Sequence, residues 1–565
     1  MKKTIASYRQ GGFHTLTESM DYAAQSASKV RFFDHQAEII TEHNYEELRL
    51  YALKMAAHLI STGIKCGSYI AIIAQTRVEF NALFFACQYA GLVPSPLPFT
   101  ILPAGREAYE QKLCQFVNVL KPALLVCPAS IEPVAASVEK TCKVPFTTFE
   151  TLSSATSTTP PLENYQQTCL KANELAYIQF SSGSTANPSG LLITQQALMA
   201  NLNLIASAGN SVIENEQTFS WLPFDHNMGL VSFVLSPVNT QSHTDFIAPA
   251  TFMGKPGLWL ELLSTCRSTL TFAPAFAYNL AIQNYDPSKH LDLSALRIAG
   301  IGGDIIHVST LRTFAQTMKD TGFRYEAFST GYGLTEAVMA VANTRPGIAP
   351  LIYTLSDGKQ TQEIVSSGTL LPGFKSKFKN KTLINTTNQA QNKKNDMPSV
   401  GELWLKGPSI VTQSLNAAEK LKQDEEGYIC TGDLGFIHEG HLFITGRSKD
   451  IIIIRGKNIW AQDVEWAVMG CSEKLGKHSV AAVGITQNNE EHLIVLIQNE
   501  NFDNTTRAEL NTQILQTINQ TFGVKAQVVW TQPGQLSTTS VGKLARAQIK
   551  QNYIDGNIEL ITVIP

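Results

Sequence analysis

Short apolar runs alternate with longer stretches of helical spacing along the first part of the chain. Runs bounded by Gly, Pro or polar residues predict buried strands at 68–75, 122–128, 175–180, 218–224, 269–274 and 295–303. Longer apolar runs predict buried helices at 78–93 and 257–267, and residues 15–62 are predicted to be rich in helix. Strands that alternate with helices are typical of an α/β protein with a mostly parallel sheet.

The alternation changes after residue 343. Residues 343–367 interrupt it, and the polar, Asn-, Gln- and Lys-rich residues 379–399 are typical of a solvated loop or insertion. A β-rich stretch follows, and from Lys449 onward apolar runs and one long helical stretch predict a compact α+β unit of about 115 residues. We therefore expect a large N-terminal domain of mixed sheets and helices at 1–448 and a small C-terminal domain at 449–565.

Composition argues against several classes of protein. The chain has 565 residues, more than one hydrophobic core usually holds, so at least two domains are expected. A formal net charge of −3 without a long basic block argues against nucleic-acid binding. The nine Cys residues form no CxxC pair, which favours a reduced, cytoplasmic protein. The start lacks the apolar core of a signal peptide, and no apolar run is long enough to span a membrane.

The stretch YIQFSSGSTANPSGLLIT at 177–194 is a candidate phosphate-binding loop. Successive backbone N–H groups in a loop of Gly and small hydroxyl residues can bind phosphate oxygens. The residues concerned are Ser181, Ser182, Gly183, Ser184 and Thr185. The same pattern also occurs in hairpins and surface turns. It is not a P-loop, because no Lys precedes a Ser or Thr after the second Gly.

Two further stretches carry groups suited to a nucleotide. GYGLTEA at 331–337 supplies Tyr332 for stacking on a base, Thr335 for a phosphate and Glu336 for Mg²⁺. TGDLG at 431–435 places Asp433 in a Gly-flanked loop, where its carboxylate suits two ribose hydroxyls. The simpler alternatives are that Glu336 caps a turn or pairs with a cation, and that Asp433 forms an Asx-turn.

Three more stretches each carry one ionisable residue of interest. GRSKD at 446–450 supplies Arg447, SVGKLAR at 540–546 supplies Lys543, and WLPFDHNMGL at 221–230 places His226 among apolar residues. Separately, such residues are more often solvated charges or a hydrogen-bonded core His. Their occurrence together and in this order is hard to attribute to chance.

The ordered set SSGST, YGLTE, TGDLG, GRSKD and the C-terminal GK resembles the core motifs of the adenylate-forming superfamily. That superfamily contains acyl-CoA synthetases, luciferases and the adenylation domains of peptide synthetases. The resemblance runs over nearly the full length of the chain. Residues 96–113, 220–230, 251–260, 274–281 and 455–465 are similar to stretches of the fatty acyl-AMP ligases in particular, and residues 343–367 lie where that subfamily carries an insertion.

The resemblance implies a role for each motif. The loop at 181–185 would hold the ATP phosphates, Thr335 would bond a phosphate, and Glu336 would bind Mg²⁺. Lys543 would be the catalytic lysine of adenylation, and Lys449 the hinge of a mobile C-terminal domain. The adenosine pocket would be formed by Gly302, Gly303, Asp304, Tyr332, Gly333, Asp433 and Arg447. The acyl tunnel would be formed or bordered by Phe224, the catalytic candidate His226, Met228, Gly229, Phe276, Ala277 and Tyr278.

The implied reaction joins a carboxylic acid, expected to be a medium- or long-chain fatty acid, to the α-phosphorus of ATP and releases pyrophosphate. The acyl group would then pass to the phosphopantetheine thiol of an acyl carrier protein. Two alternatives remain: an acyl-CoA ligase, which shares the first step, and a non-catalytic relative that binds an acyl group or a carrier protein. The chain departs from the family pattern at Ser189, where many relatives have Lys.

Overall fold

The computed structural model describes residues 7–99, 105–163, 174–180, 188–207, 213–356, 361–383, 399–416, 421–454, 457–472, 474–476, 479–487, 490–498, 502–538 and 544–561. The predicted phosphate loop at 181–185 and the predicted catalytic Lys543 lie outside these residues, so their roles stay predictions.

The chain begins with two helices separated by a pair of strands. Helices α1 (Leu16–Ala23) and α2 (Tyr45–Ser61) agree with the prediction for residues 15–62. Strands β1 (Lys29–Phe33) and β2 (Ile39–Asn44) lie between them and were missed. Strand β2 is polar and buries none of its residues, so it lacks the apolar pattern that identifies a strand. A capping box between Asn44 and Glu47 starts α2.

A small parallel sheet follows, in the order β4-β3-β5-β6. Its elements are β3 (Tyr69–Ile73), α3 (Val78–Tyr89), β4 (Val93–Leu97), α4 (Gly105–Leu120), β5 (Leu124–Cys127), α5 (Glu132–Cys142), β6 (Phe146–Thr148) and α6 (Phe149–Thr156). The strands predicted at 68–75 and 122–128 and the buried helix predicted at 78–93 are confirmed. The next strands, β7 (Leu175–Phe180) and β8 (Gly190–Thr194), form an antiparallel pair on either side of the predicted phosphate loop.

A second, larger sheet holds parallel strands in the order β1-β10-β9-β11-β12-β13. The strands are β9 (Gln217–Ser220), β10 (His243–Ile247), β11 (Leu270–Ala273), β12 (Ile298–Gly302) and β13 (Phe328–Gly333). The helices are α7 (Gln195–Ser207), α8 (Asn227–Gly229), a π-helix (Leu230–Leu235), α9 (Ser236–Asn239), α10 (Pro249–Gly254), α11 (Gly257–Thr265), α12 (Ala275–Gln283) and α13 (Val308–Thr317).

Antiparallel strands extend this sheet beyond β13. They are β14 (Ala340–Asn343), β15 (Ile352–Ser356), β16 (Thr361–Leu370), β17 (Lys375–Leu383), β18 (Ser399–Lys406), β19 (Ile429–His438) and β20 (His441–Arg447). Residues 343–367 therefore belong largely to the sheet, because β16 pairs with both β14 and β20. The prediction of a loop at 379–399 was wrong at both ends of that range, where β17 and β18 pair with each other. Residues 384–398 lie outside the described part of the chain.

The C-terminal part has its own strands and helices. They are β21 (Ile451–Ile454), β22 (Lys457–Trp460), α14 (Ala461–Met469), β23 (Val480–Gln487), β24 (Glu490–Gln498), α15 (Asn504–Phe522), β25 (Ala526–Thr531), α16 (Arg546–Ile554) and β26 (Leu560–Ile561). Within the described residues these strands pair only with one another. The predicted α/β class is confirmed, while the boundary at Lys449 stays a prediction. Across the described residues, every helix is too short or too polar to cross a membrane.

Candidate active site

A cavity of about 230 Å³ lies beyond the carboxyl ends of β12 and β13 and continues along one face of the large sheet. Ligands of α/β proteins typically bind beyond the carboxyl ends of parallel strands. The residues predicted from sequence that line this cavity are His226, Met228, Gly303, Tyr332, Gly333, Thr335, Glu336 and Arg447. The structure thus brings together groups that are more than two hundred positions apart in the chain, from His226 to Arg447.

Asp433 joins two of the predicted adenosine residues, Tyr332 and Arg447, into one hydrogen-bonded group. Its Oδ1 accepts a hydrogen bond of 2.9 Å from Nε of Arg447, and its Oδ2 accepts one of 2.6 Å from the Tyr332 hydroxyl. Asp433 faces Arg447 across the β19–β20 pair, and only 4% of its surface is exposed. Burial, reinforced by the Asp433 carboxylate, raises the pKa of Tyr332 well above its usual value, so the phenol stays protonated and donates. The Tyr332 ring is therefore fixed through its hydroxyl.

Glu336 lies in a short 3₁₀ turn, Thr335–Ala337, at the cavity wall. Burial raises the pKa of Glu336, while the Arg447 guanidinium acts in the opposite direction. A buried carboxylate gains stability from a nearby cation. Mg²⁺ commonly takes one or two carboxylates together with substrate phosphates, so a single Glu336 fits that ion. In the described part of the chain, no cluster of three or more His, Cys, Asp or Glu residues offers a metal site without a substrate.

Asn201, which the sequence analysis did not single out, holds the turn that carries Glu336. This buried side chain of α7 donates to the Ala340 carbonyl at 2.9 Å and accepts from the Ala340 N–H at 3.1 Å. It also donates at 3.0 Å to the Ser409 hydroxyl, which in turn donates to the Ala337 carbonyl at 2.9 Å. Asn201 precedes Ala340 by 139 residues, so no local signal in the sequence could have identified it.

The residue after this turn, Val338, has a backbone conformation that is rare for its type. Its φ of 70° and ψ of −59° place a β-branched residue in a region that sterics disfavour. Val338 is completely buried, and its carbonyl accepts a hydrogen bond of 3.2 Å from the Asn227 side chain. Such conformations persist where surrounding contacts enforce them, and they concentrate at functional sites.

His226 caps the N-terminus of α8 and lines the cavity. Its Nδ1 accepts a hydrogen bond of 3.2 Å from the Met228 N–H, which assigns the proton of the neutral ring to Nε2. Gly229, predicted at the tunnel border, is required for packing, because a Cβ atom there would lie 2.1 Å from the Pro223 carbonyl oxygen. This close approach lets the loop before α8 fold back against the helix.

Several predicted acyl-tunnel residues lie in the hydrophobic core. The Phe224 ring packs between Phe80 and Phe246, at centroid distances of 5.2 Å and 5.0 Å. The Tyr278 hydroxyl donates to the Gly300 carbonyl at 2.8 Å and so tethers β12. The buried residues that are not part of the cavity wall are Phe224, Phe276, Ala277 and Tyr278. Their predicted contact with an acyl chain stays a prediction.

The predicted adenine residues follow β12 directly. Gly302 ends the strand, and a Cβ atom there would lie 2.6 Å from the Gly331 carbonyl oxygen. Gly303 has a φ of 78°, which favours glycine, and it lines the cavity. The Asp304 carboxylate accepts a hydrogen bond of 2.9 Å from the Ile305 N–H. Gly302 and Asp304 therefore shape the loop, while Gly303 forms the wall.

One ring contact places the C-terminal part beside this loop, and two ion pairs of Arg546 organise the predicted hinge. The His307 ring lies 3.8 Å from the Trp466 ring, centroid to centroid. Lys449 lies in a 3₁₀ turn, Ser448–Asp450, and Arg546 donates to Asp450 Oδ2 at 3.0 Å. The same guanidinium makes a bidentate pair with Glu465 at 2.8 Å and 2.6 Å.

The fold and the cavity define an adenylate-forming enzyme. The chain belongs to the AMP-binding enzyme family, which it matches over residues 21–413. It is 30% identical to a putative acyl-CoA synthetase of Caulobacter vibrioides, over 97% of this chain and 96% of that protein. It is 27% identical to a medium-chain-fatty-acid–[acyl-carrier-protein] ligase of Moorena producens, over 97% of this chain and 96% of that protein.

A solved structure of a fatty acyl-adenylate ligase, one of those from E. coli and L. pneumophila, superposes with a TM-score of 0.87. The two chains share 30% identity, and the superposition covers 98% of this chain and 100% of the other. The relationship predicted from the ordered motifs is therefore confirmed.

Proposed function

We propose that this protein activates a medium- or long-chain fatty acid with ATP to an acyl adenylate, releases pyrophosphate, and transfers the acyl group to the phosphopantetheine thiol of an acyl carrier protein. One observation carries the first step. Tyr332, Glu336 and Arg447 line one end of the cavity. From there the cavity continues along the sheet between apolar side chains, including Leu270 and Ile298. A polar end that suits a nucleotide is thus continuous with a slot that suits an acyl chain.

The chemistry needs charge control and alignment and no general base. The carboxylate nucleophile is already ionised near neutral pH, and its repulsion from the triphosphate forms much of the barrier. Mg²⁺ bound through Glu336 would neutralise phosphate charge. Thr335 lines the same wall and would bond a phosphate oxygen, and His226, with its ring proton on Nε2, would act as a hydrogen-bond donor to the substrate. The fixed Tyr332–Asp433–Arg447 group would hold the adenosine end.

The choice of a carrier protein over CoA rests on residues 343–367. Tyr353 of β15 packs edge-on against Phe436 at 5.3 Å and Phe443 at 5.9 Å, and β15 pairs along its length with β16. A segment held in this way would resist the domain movement that opens a channel for a bulky nucleotide thiol. A carrier protein presents its pantetheine arm from a folded surface and does not require that channel.

The test separates the two steps. The purified chain is incubated with ATP, Mg²⁺ and a series of carboxylic acids, and pyrophosphate release and acyl adenylate mass are measured. CoA and a phosphopantetheinylated carrier protein are then offered at equal concentration. We expect acyl-carrier protein and little acyl-CoA, whereas efficient acyl-CoA formation would establish the acyl-CoA ligase. Absence of pyrophosphate release with every acid would favour a non-catalytic binding protein.

Lys543→Ala provides the internal control for the assignment. Loss of one preorganised charge contact lowers a rate by about 10²–10³, so adenylation should nearly disappear. Chemically supplied acyl adenylate should still react with the carrier thiol, because the domains are expected to turn between the half-reactions. Near-normal pyrophosphate release by this variant would contradict the assigned role.

A further inference from the structure

The far part of the cavity is a slot between the sheet and one helical segment. On the sheet side, Ile298 begins β12 and Gly303 follows its end, and both line the cavity. Gly303 lies five residue steps from Ile298, and at about 3.3 Å per step of extended strand the slot runs for about 16 Å. The slot therefore continues well beyond the part that Glu336 and Arg447 line.

The opposite wall is a stripe of residues at helical spacing. Met228, Ser232, Ser236 and Thr240 follow one another at intervals of four residues through α8, the π-helix and α9, and all four line the cavity. Ser242 also lines the cavity beside Thr240. The wall thus changes from apolar near the nucleotide end to hydroxyl-bearing at the far end.

The hydroxyl groups at the far end are incompletely hydrogen-bonded. Ser236 is 4% exposed, and within the described residues its Oγ has no hydrogen-bond partner. Ser232 donates at 2.9 Å to the sulfur of Met339, which is a weak acceptor. The Thr240 hydroxyl donates its proton to the Ser236 carbonyl at 2.9 Å. In the 2.8 Å contact between the Thr240 and Ser242 hydroxyls, Ser242 is therefore the donor. Ser236 therefore keeps a donor and acceptors, and Ser242 keeps acceptors, facing the slot.

A plain alkyl chain in this slot would leave the Ser236 hydroxyl buried without a partner. A site built to hydrogen-bond a substrate hydroxyl discriminates strongly against the analogue that lacks it, because the buried protein group is then left unpaired. We propose that the far end of the slot selects a carboxylic acid that carries a hydroxyl group near the end of its chain, bound by Ser236 and Ser242. This inference rests on the proposed adenylation function and narrows its substrate class to ω-hydroxy alkanoic acids.

The experiment compares alkanoic acids with ω-hydroxy alkanoic acids of equal length in the pyrophosphate-release assay. For plain acids, kcat/KM should rise smoothly with length until the slot ends, because each CH₂ adds buried apolar area. For ω-hydroxy acids, kcat/KM should peak at the length that brings the hydroxyl to Ser236. At that peak the hydroxy acid should exceed the plain acid by about ten-fold or more.

Ser236→Ala should reduce that ratio towards one, mainly by lowering kcat/KM for the hydroxy acid, and Ser242→Ala should reduce it in part. Ser95→Ala is the matched control, because Ser95 is buried like Ser236 but donates to the Ile178 carbonyl away from the cavity. The control should leave the ratio unchanged. If Ser236→Ala does not fold, two measurements still test the inference. They are the ratio of kcat/KM for the hydroxy acid to that for the plain acid in Ser242→Ala, and the dependence of kcat/KM on chain length in the wild type.

The outcomes separate this inference from the function on which it rests. Activation of plain acids with no peak for ω-hydroxy acids would overturn the inference and leave the proposed function intact. A ratio that Ser236→Ala and Ser242→Ala both leave unchanged would also overturn it. Absence of pyrophosphate release with every acid would overturn both.

Discussion

The guanidinium of Arg546 donates to Asp450 Oδ2 at 3.0 Å and thereby connects the start of α16 to the residue next to the predicted hinge, Lys449. The same side chain makes a bidentate pair with Glu465, which is 4% exposed. Burial raises the pKa of Glu465 and Arg546 opposes that rise, so the buried carboxylate depends on this one cation.

Arg546→Met should destabilise the C-terminal part by about 3 kcal/mol, because it leaves Glu465 buried without its charged partner. Chemical denaturation followed by circular dichroism measures the loss. Arg267→Met is the matched control, since Arg267 and Asp292 form an exposed pair, 64% and 53% exposed, and such pairs contribute about 0–1 kcal/mol. Adding Glu465→Gln to Arg546→Met should recover part of the stability. Equal losses for the Arg546 and Arg267 variants would disprove the argument.

Tyr332→Phe should raise the KM for ATP by about ten-fold or more and lower the free energy of unfolding by about 1.5–3 kcal/mol. The variant removes the 2.6 Å hydrogen bond to Asp433 while the ring and the Arg447–Asp433 pair remain. A hydrogen bond to a charged group typically contributes about 1.5–3 kcal/mol. Pyrophosphate release measured against ATP concentration gives the change, and the KM for the acid should stay constant. An unchanged KM for ATP would show that this bond does not organise the nucleotide end.

Asn201→Ala should lower kcat about ten-fold or more and destabilise the fold by about 1–3 kcal/mol. The substitution removes both Asn201 hydrogen bonds to the Ala340 backbone and one of the two hydrogen bonds of the buried Ser409 hydroxyl, and so loosens the turn that carries Glu336. Raising the Mg²⁺ concentration should recover part of the rate if the defect lies in the position of Glu336. A stability loss with normal kcat at low temperature would assign Asn201 a structural role alone.

The stability of the C-terminal part should depend on Asp463. Burial, reinforced by the neighbouring Glu465, raises the pKa of Asp463 to about 6. The pKa of Asp in an unfolded chain is about 4, so the folded state binds this proton more tightly than the unfolded state does. The contribution of protonated Asp463 to the free energy of unfolding is fully present below about pH 4 and is lost as the pH rises through about 6.

Asp463→Asn keeps a neutral side chain of the same shape at every pH. The variant should therefore be more stable than the wild type by about 1 kcal/mol at about pH 7.5, with little difference at about pH 4. Urea denaturation at the two pH values measures this, and Asp555→Asn in an exposed turn is the control. A stability difference that does not change with pH would contradict the titration of Asp463.

The α/β alternation, the buried strands and the ordered motifs were available from sequence alone, because strand and helix periods and loop chemistry are local properties. The motif order also identified the family, because five short stretches in one fixed order are a specific combination. Strand β2 was missed for the same local reason, because it has no apolar pattern.

The site itself was decided by packing between distant segments. Asn201 contacts the Glu336 turn from 139 residues away along the chain. Phe224 and Tyr278, predicted to border the acyl tunnel, pack within the hydrophobic core. No local sequence motif identifies Ser232, Ser236 and Ser242. They form the far wall of the slot only because their segment packs over the sheet. Close packing permits one arrangement of these segments, and burial then determines which hydroxyl groups remain without a partner.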